Sequence, residues 1–368
     1  MTNKKPLIIL TAGGTGGHVF PAESLAEELS KRGYKLALIT DSRGKDNYHG
    51  KLREITNYSV LCGALVGKSK WFKIKSLFKT AIGVLQASLI LLKNKPTCVV
   101  GFGGYASFPC SMAAILLGID LVIHEQNSVM SRTNRFLGKY ATFIAQSFNN
   151  TKYTPSRTPK KLTGMPIRET IVKLAQKKYS PYTEQNKFRL LIIGGSQGAQ
   201  IFGEVIPDAI KMLPTPIQKK LEVFHQCRKD DLETINNKYQ DCAAEITVSS
   251  FFENMAELYS QTGLIISRAG ASSIAEITAA KIPSIIIPLP TAADDHQTSN
   301  ASSISEQQAG IIIKQKNLNS LNLSEKINQL ITNEQELNLM SERASQISIL
   351  DASQRLASAI EKEIISAA

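Results

Sequence analysis

Hydrophobic and polar positions along this 368-residue chain follow two alternating patterns. Short unbroken aliphatic runs recur, and between them lie longer stretches with apolar residues at helical spacing. The runs fall at residues 7–10, 36–40, 98–101, 121–124 and 143–145 in the first half. In the second half they fall at 190–193, 222–225, 264–267, 284–288 and 310–313. Runs without polar alternates suit strands covered on both faces, as in a parallel sheet. Their regular alternation with helical patterns predicts an α/β fold.

Two of the turns between run and helix are rich in glycine. The first carries Gly13, Gly14, Thr15, Gly16, Gly17 and His18; the second carries Gly194, Gly195, Ser196, Gln197 and Gly198. Glycine lets the chain turn sharply into a helix whose first amides stay free, and those amides suit an anionic group such as phosphate. A tight turn without a ligand is the alternative for either loop, but two such loops half a chain apart favour phosphate. They predict two Rossmann-like domains with parallel sheets facing across a cleft. Neither loop is a dinucleotide fingerprint or a Walker A loop: Val19 stands where a third glycine belongs, and no GK[ST] occurs.

The expected divisions are residues 1–165, 166–345 and a C-terminal helix at 346–368. Residues 149–166 carry Pro155, Pro159, Pro166 and Gly164 without periodicity and read as the linker. Ile349, Leu356, Ile360 and Ile364 share one face of the last helix, which is expected to dock back on the first domain.

Charge divides the chain more sharply than its overall +12 suggests. Residues 1–165 hold 23 Lys+Arg against 8 Asp+Glu, a net of +15, and the remainder holds 20 against 23, a net of −3. The five cysteines have no CxxC or Cys/His spacing, which points away from structural zinc and toward a reducing cytoplasm. The longest apolar stretch, residues 81–92, falls short of the roughly 20 residues that a bilayer crossing takes. Just before it, Lys68, Lys70, Trp71, Phe72, Lys73, Lys75, Phe78 and Lys79 interleave cations with large apolar side chains. A solvated helix is one reading. Docking on an anionic membrane surface is the favoured one, and no recognised nucleic-acid module is present.

Chemistry-bearing residues gather at strand exits. His18 follows the first loop, and its ordinary pKa of about 6.5 suits a general base. A histidine bonded to backbone at a helix start fits the position equally. His124, Glu125, Gln126 and Asn127 leave the run at 121–124, the usual ligand rim of an open sheet. Ser273 and Glu276 have capping-box spacing, while Glu276 also suits ribose hydroxyls; both readings stay open. Residues 294–300 include Asp294, Asp295 and Gln297, and no DxD motif that would hold a metal-bound diphosphate occurs.

Seven segments in order carry a resemblance that covers nearly the whole chain. They are GGTGGHVFP at 13–21, GFGGYAS at 101–107, HEQN at 124–127, GMPIR at 164–168, GGSQGA at 194–199, SRAGASSIAE at 267–276 and DDHQTSNA at 294–301. Together they resemble the MurG family of bacterial peptidoglycan glycosyltransferases, of GT-B architecture. The resemblance implies inverting transfer of N-acetylglucosamine from UDP-GlcNAc to the 4-hydroxyl of undecaprenyl-diphosphate-linked MurNAc-pentapeptide. It places the reaction at the cytoplasmic face of the inner membrane, with anionic lipids and a cell-wall synthesis complex as partners and no metal or cofactor.

By motif, the donor would meet Thr15, Gly16, Gly17, Asn127, Arg168, Ser196 and Gln297. Phe252, Ala271, Ser272, Ser273, Ile274, Ala275 and Glu276 would frame uracil and ribose. The acceptor diphosphate would lie on Gly13, Gly14, Gly103, Gly104 and Tyr105, and residues 68–79 would face the bilayer. His18 is the first candidate base and Glu125 the second. Met165 replaces the family's Asn in GNPxR, Ala275 stands where Ser is common, and Gln297 is a single Gln. A UDP-GlcNAc epimerase of related fold and a non-enzymatic membrane-bound nucleotide-sugar sensor are the alternatives.

Overall fold

In a computed structural model, every aliphatic run is a strand of one of two all-parallel sheets. The structure describes residues 5–14, 16–41, 50–63, 70–183, 185–195 and 198–366. The first sheet holds β1 (Leu7–Thr11), β2 (Lys35–Thr40), β3 (Thr56–Ser59), β4 (Cys98–Gly101), β5 (Asp120–Glu125), β6 (Phe143–Gln146) and β7 (Lys160–Leu162). Their order is β3-β2-β1-β4-β5-β6-β7. The second holds β8 (Phe188–Ile193), β9 (Leu221–Gln226), β10 (Glu245–Ser249), β11 (Leu264–Ser267), β12 (Ser284–Ile286) and β13 (Gly310–Ile312), in the order β10-β9-β8-β11-β12-β13. In each sheet the first strand in the chain lies inside, so strand order reverses beside β1 and beside β8. Such switch points are where open α/β sheets take ligands.

Three strands escape the hydrophobic pattern: β3, β7 and β10. All three lie at sheet edges, where one side lacks a neighbour and the residues are polar. β7 also corrects the linker expectation. The segment 149–166 adds a seventh strand to the first sheet, with Ile144 in register with Lys160.

The chain folds as two compact units, Met1–Arg168 with Asp351–Ala368, and Glu169–Leu350. In the first, the helix Gly16–Lys31 buries Ala22, Leu25, Ala26 and Leu29 against one face of the sheet. The helix Ala352–Ile360, extended by a wider turn at Glu361–Ile365, adds Leu356, Ile360 and Ile364 to the same core. Ion pairs fasten it: Arg32 to Glu361 at 2.6 Å and Lys161 to Glu363 at 2.7 Å. In the second unit one cluster, with Phe188, Leu190, Phe202 and Ile327 fully buried, fills the core.

The helix Lys70–Asn94 is longer than the sequence pattern suggested. The basic segment and the apolar run 81–92 join into 25 continuous residues, so length no longer argues against a membrane crossing. Burial describes it better. Ser76, Thr80, Ala87 and Leu91 are buried, and a Cβ on Gly83 would collide with the Leu61 carbonyl oxygen. The opposite face carries Trp71 (81% exposed), Ile74, Phe78 (68%), Leu85, Leu89 and Leu92. At about 100° per residue these fall within an arc of about 60°. Exposed Lys75 and Lys79 flank the stripe.

Candidate functional site

In the first unit, the loops leaving β1, β4 and β5 converge around His18. The loop after β1 carries Gly13 and Gly14, and His18 lies in the first turn of the helix Gly16–Lys31. β4 ends before Gly103 and Gly104, both at positive φ (81° and 77°), a backbone region open mainly to glycine. The imidazole fills the space that side chains here would take. A Cβ on Gly104 would lie 3.3 Å from His18 Cδ2 and 3.4 Å from Nε2, and one on Gly103 would lie 3.5 Å from Cε1. A Cβ on Gly13 would lie 3.4 Å from Cδ2. Burial pushes the His18 pKa below its ordinary value, while hydrogen bonding to the Phe102 backbone and the Gln126 side chain opposes it. Its Nδ1 is buried without a hydrogen-bond partner.

β5 delivers His124 and Glu125, both fully buried. His124 Nε2 faces the Gly164 carbonyl oxygen at 3.2 Å, and its ring sits 5.3 Å from that of Phe102. Burial holds its pKa down at about 4, chiefly against the pull of that carbonyl. Glu125 is walled in by four donors. Oε1 accepts from Asn127 N at 3.0 Å and Asn127 Nδ2 at 3.4 Å; Oε2 accepts from Ser131 N at 3.1 Å and Asn134 Nδ2 at 2.8 Å. Burial raises its pKa, and these donors hold it back.

Tyr105 is partly exposed, and its carbonyl accepts from Cys62 Sγ at 2.9 Å. Met165, where the family pattern carries Asn, is buried with the Ser147 hydroxyl 3.6 Å from its sulfur. Arg168 stacks 5.0 Å over the Phe20 ring. Nearby Glu23 is raised to about 7 by burial and by the charge of Glu27, with Arg168 and the Lys51 amide opposing.

The second unit gathers its loops beside β8 and β11. A Cβ on Gly194 would strike the Ala199 backbone nitrogen, and one on Gly198 (φ 66°) would lie 2.8 Å from Arg228 Cγ, so only glycine closes this turn. After β11, Arg268 is buried; Nη1 donates to the carbonyls of Ile287 at 3.1 Å and Pro288 at 3.3 Å, and the guanidinium stacks 4.9 Å over Phe202. Gln297 Oε1 accepts from Ala269 N at 3.1 Å and Leu289 N at 3.0 Å, and Asn300 Nδ2 donates to the Ala269 carbonyl at 3.1 Å. Phe252 packs edge-on to Phe224 at 5.8 Å.

The helix Ala271–Ala279 corrects the capping-box reading. Its N-cap is Gly270 and no side chain caps it, so Ser273 lies inside the first turn. Glu276 is buried and accepts from the Tyr259 hydroxyl at 3.4 Å. Thus Ala271, Ser272, Ser273, Ile274, Ala275 and Glu276 form the opening of an uncapped helix; Ile274 N donates to the Gly270 carbonyl at 2.9 Å, and the amides of Ala271, Ser272 and Ser273 are the ones placed for an anion or a polar ring.

Thr15, Ser196 and Lys68 lie outside the described residues, as do the side chains of Lys70, Phe72 and Lys73. Among the described residues, the structure brings His18, Gly13, Gly103, Gly104, Glu125 and Asn127 together in the first unit. It gathers Gly194, Gly198, Ala271, Glu276 and Gln297 at the matching edge of the second. Sequence reasoning missed Asn134, which no motif marks. It also passed over Arg268 and Asn300 inside segments it had singled out.

Comparison with known proteins adds direct relatives. Residues 8–146 match the glycosyltransferase family 28 N-terminal domain, and residues 189–356 match the glycosyltransferase family 28 C-terminal domain. A protein of Paramagnetospirillum magneticum, named UDP-N-acetylglucosamine--N-acetylmuramyl-(pentapeptide) pyrophosphoryl-undecaprenol N-acetylglucosamine transferase, is 40% identical over 97% of this chain and 96% of its own length. The crystal structure of Acinetobacter baumannii MurG is similar at a TM-score of 0.77 and 32% identity, covering 97% of this chain and 99% of that one. A putative UDP-N-acetylglucosamine 2-epimerase from Listeria monocytogenes, TM-score 0.69 at 13% identity over 97% and 96%, shares the fold alone.

Proposed function

The chain belongs to glycosyltransferase family 28, in its MurG branch, and from that premise we propose how it works. It transfers N-acetylglucosamine from UDP-GlcNAc to the 4-hydroxyl of the muramyl sugar on undecaprenyl-diphosphate-linked MurNAc-pentapeptide. The observation that carries this is identity of 40% along 97% of the chain to a transferase of that name. The glycine turns at both switch points agree with it.

Transfer with inversion needs a base on the acceptor hydroxyl and stabilisation of the charge that grows on the departing UDP. His18 is the base. Burial keeps it neutral at pH 7, and the glycine cradle fixes its ring. Glu125 does not compete for that role, because four donors occupy its oxygens. On the donor side, the amides at the start of the helix Ala271–Ala279 and of the Gly194 turn meet the diphosphate. Fixed amides stabilise developing charge without reorganising. Glu276 and Phe252 hold ribose and uracil, and Gln297 orients the sugar. Gly104 and Tyr105 receive the acceptor diphosphate.

The acceptor's lipid tail calls for a bilayer, and the stripe from Trp71 to Leu92 supports one-sided docking. The buried face of that helix belongs to the core of the first unit, which leaves the stripe to enter the acyl boundary. Lys75 and Lys79 add about 1 kcal/mol each near anionic lipid. The protein therefore sits peripherally on the cytoplasmic face of the inner membrane.

Incubating the purified chain with UDP-GlcNAc and the muramyl lipid in anionic vesicles tests the whole reading. UDP release equal to glycosylated lipid is the expected result. Epimerised UDP-sugar, or tight binding with no turnover, would replace it with one of the alternatives.

A further inference from the structure

Among the buried side-chain acceptors of the first unit that lack a donor, one lies beside His18. Asn134 is 1% exposed, and its Oδ1 lacks a hydrogen-bond partner. The amide is not free to turn over. Its Nδ2 lies 2.8 Å from Glu125 Oε2 and 3.5 Å from the His124 carbonyl oxygen, so the flipped amide would set oxygen against carboxylate. The backbone is equally fixed, because Asn134 N donates to the Ser131 hydroxyl that caps its helix, Arg132–Leu137.

The orphaned oxygen has a definite neighbour. A Cβ on Gly103 would lie 3.3 Å from Asn134 Nδ2, 3.6 Å from Oδ1 and 3.5 Å from His18 Cε1. Asn134 and His18 therefore flank the same bare glycine face, and His18 Nδ1 is a second buried atom there without a partner. Buried polar atoms are nearly always satisfied, so unpaired ones beside a candidate base mark a place for a ligand group. An amide oxygen accepts hydrogen bonds and repels the oxygens of a phosphate.

We infer that Asn134 is a substrate-binding residue: its Oδ1 accepts a hydroxyl or N–H of the acceptor sugar next to His18. Glu125 is the positioning residue that fixes the Asn134 amide in this sense. The Gly103 face thus takes the sugar end of the acceptor, and Gly104 and Tyr105 are left for its diphosphate. This rests on the transfer reading above.

Steady-state kinetics of the full chain with UDP-GlcNAc and the muramyl lipid test it. Asn134→Ala is expected to raise KM for the lipid about tenfold or more, with KM for UDP-GlcNAc within about twofold and a lower Tm, because the buried Glu125 carboxylate loses a donor. Glu125→Gln and Asn134→Asp each lose a similar factor, because the first turns the amide and the second opposes two carboxylates. The double variant Glu125→Gln/Asn134→Asp moves the charge across the pair and again leaves an oxygen facing Gly103. It is expected to recover about tenfold over either single change, and it decides the matter if a single variant fails to fold. An unchanged lipid KM in Asn134→Ala, an equal rise in both KM values, or a double variant no better than its parents would overturn the inference. A wild-type chain that transfers no sugar would instead overturn the transfer reading.

Discussion

Gln297 Oε1 accepts the backbone amide of Ala269 at 3.1 Å, and the same oxygen takes Leu289 N at 3.0 Å. One side chain thereby ties the exit of β11 to the chain beyond β12. Gln297→Ala strands both amides, at about 1–3 kcal/mol for each that stays dry. We expect a lower Tm and a rise of about tenfold in KM for UDP-GlcNAc, with the acceptor KM little changed. Gln297→Glu keeps an oxygen for both amides and should restore the Tm. Equal stability of the two variants would remove the clamp.

As the proposed base, His18 should control the acid limb of kcat/KM. Its pKa is depressed by burial, so activity holds through pH 6.5 and falls only at lower pH. His18→Ala is expected to lose about 10² to 10⁴ in kcat with KM values nearly unchanged. An alanine variant that keeps wild-type turnover rules His18 out.

Buried histidines make the fold sensitive to acid. His225 Nδ1 pairs with the Tyr239 hydroxyl at 2.9 Å, and burial lowers the His225 pKa to about 4. The unfolded chain binds the proton first, so this contribution is complete above pH 6.5 and fades as pH falls toward 4. Urea unfolding at pH 7 and pH 5 should show it. The stability gap between wild type and His225→Phe is expected to narrow by about 2 kcal/mol at pH 5. A gap that does not change with pH would show that His225 does not titrate in this way.

Gly83 sits mid-helix, where alanine ordinarily gains about 1 kcal/mol. Here a Cβ meets the Leu61 carbonyl oxygen. Gly83→Ala should destabilise by about 1–3 kcal/mol, as overpacking does, and thermal unfolding reads the sign directly.

Vesicle sedimentation probes the exposed stripe. Trp71→Ala and Phe78→Ala together should weaken binding to anionic vesicles about tenfold or more, with Tm unmoved because both residues face solvent. Added salt should weaken binding further through Lys75 and Lys79. Wild-type affinity in the double variant would move the docking surface elsewhere.

Interior strands such as β4 and β11 were legible to the residue, because burial on both faces demands unbroken aliphatic runs. Edge strands β3, β7 and β10 were not, since one open side admits Asn57, Lys161 and Glu245. At the site, glycine turns and clustered polar exits pointed to His18, Glu125 and Gln297. What each of these does there depended on partners remote in sequence. Asn134 was silent because its significance lies in a contact with Glu125 and an absent contact at Oδ1, and neither leaves a pattern in the chain. Ser273 misled for the opposite reason: capping spacing matched, yet the helix begins at Ala271.

The return of residues 351–368 to the first unit has a consequence for biosynthesis. Leu356, Ile360 and Ile364 are the last pieces of a core begun by Ile8 and Leu10. The first sheet therefore waits, with an apolar face open, until residues 356–364 have been synthesised. Interruption of the chain before Leu356 would injure the first unit more than the second.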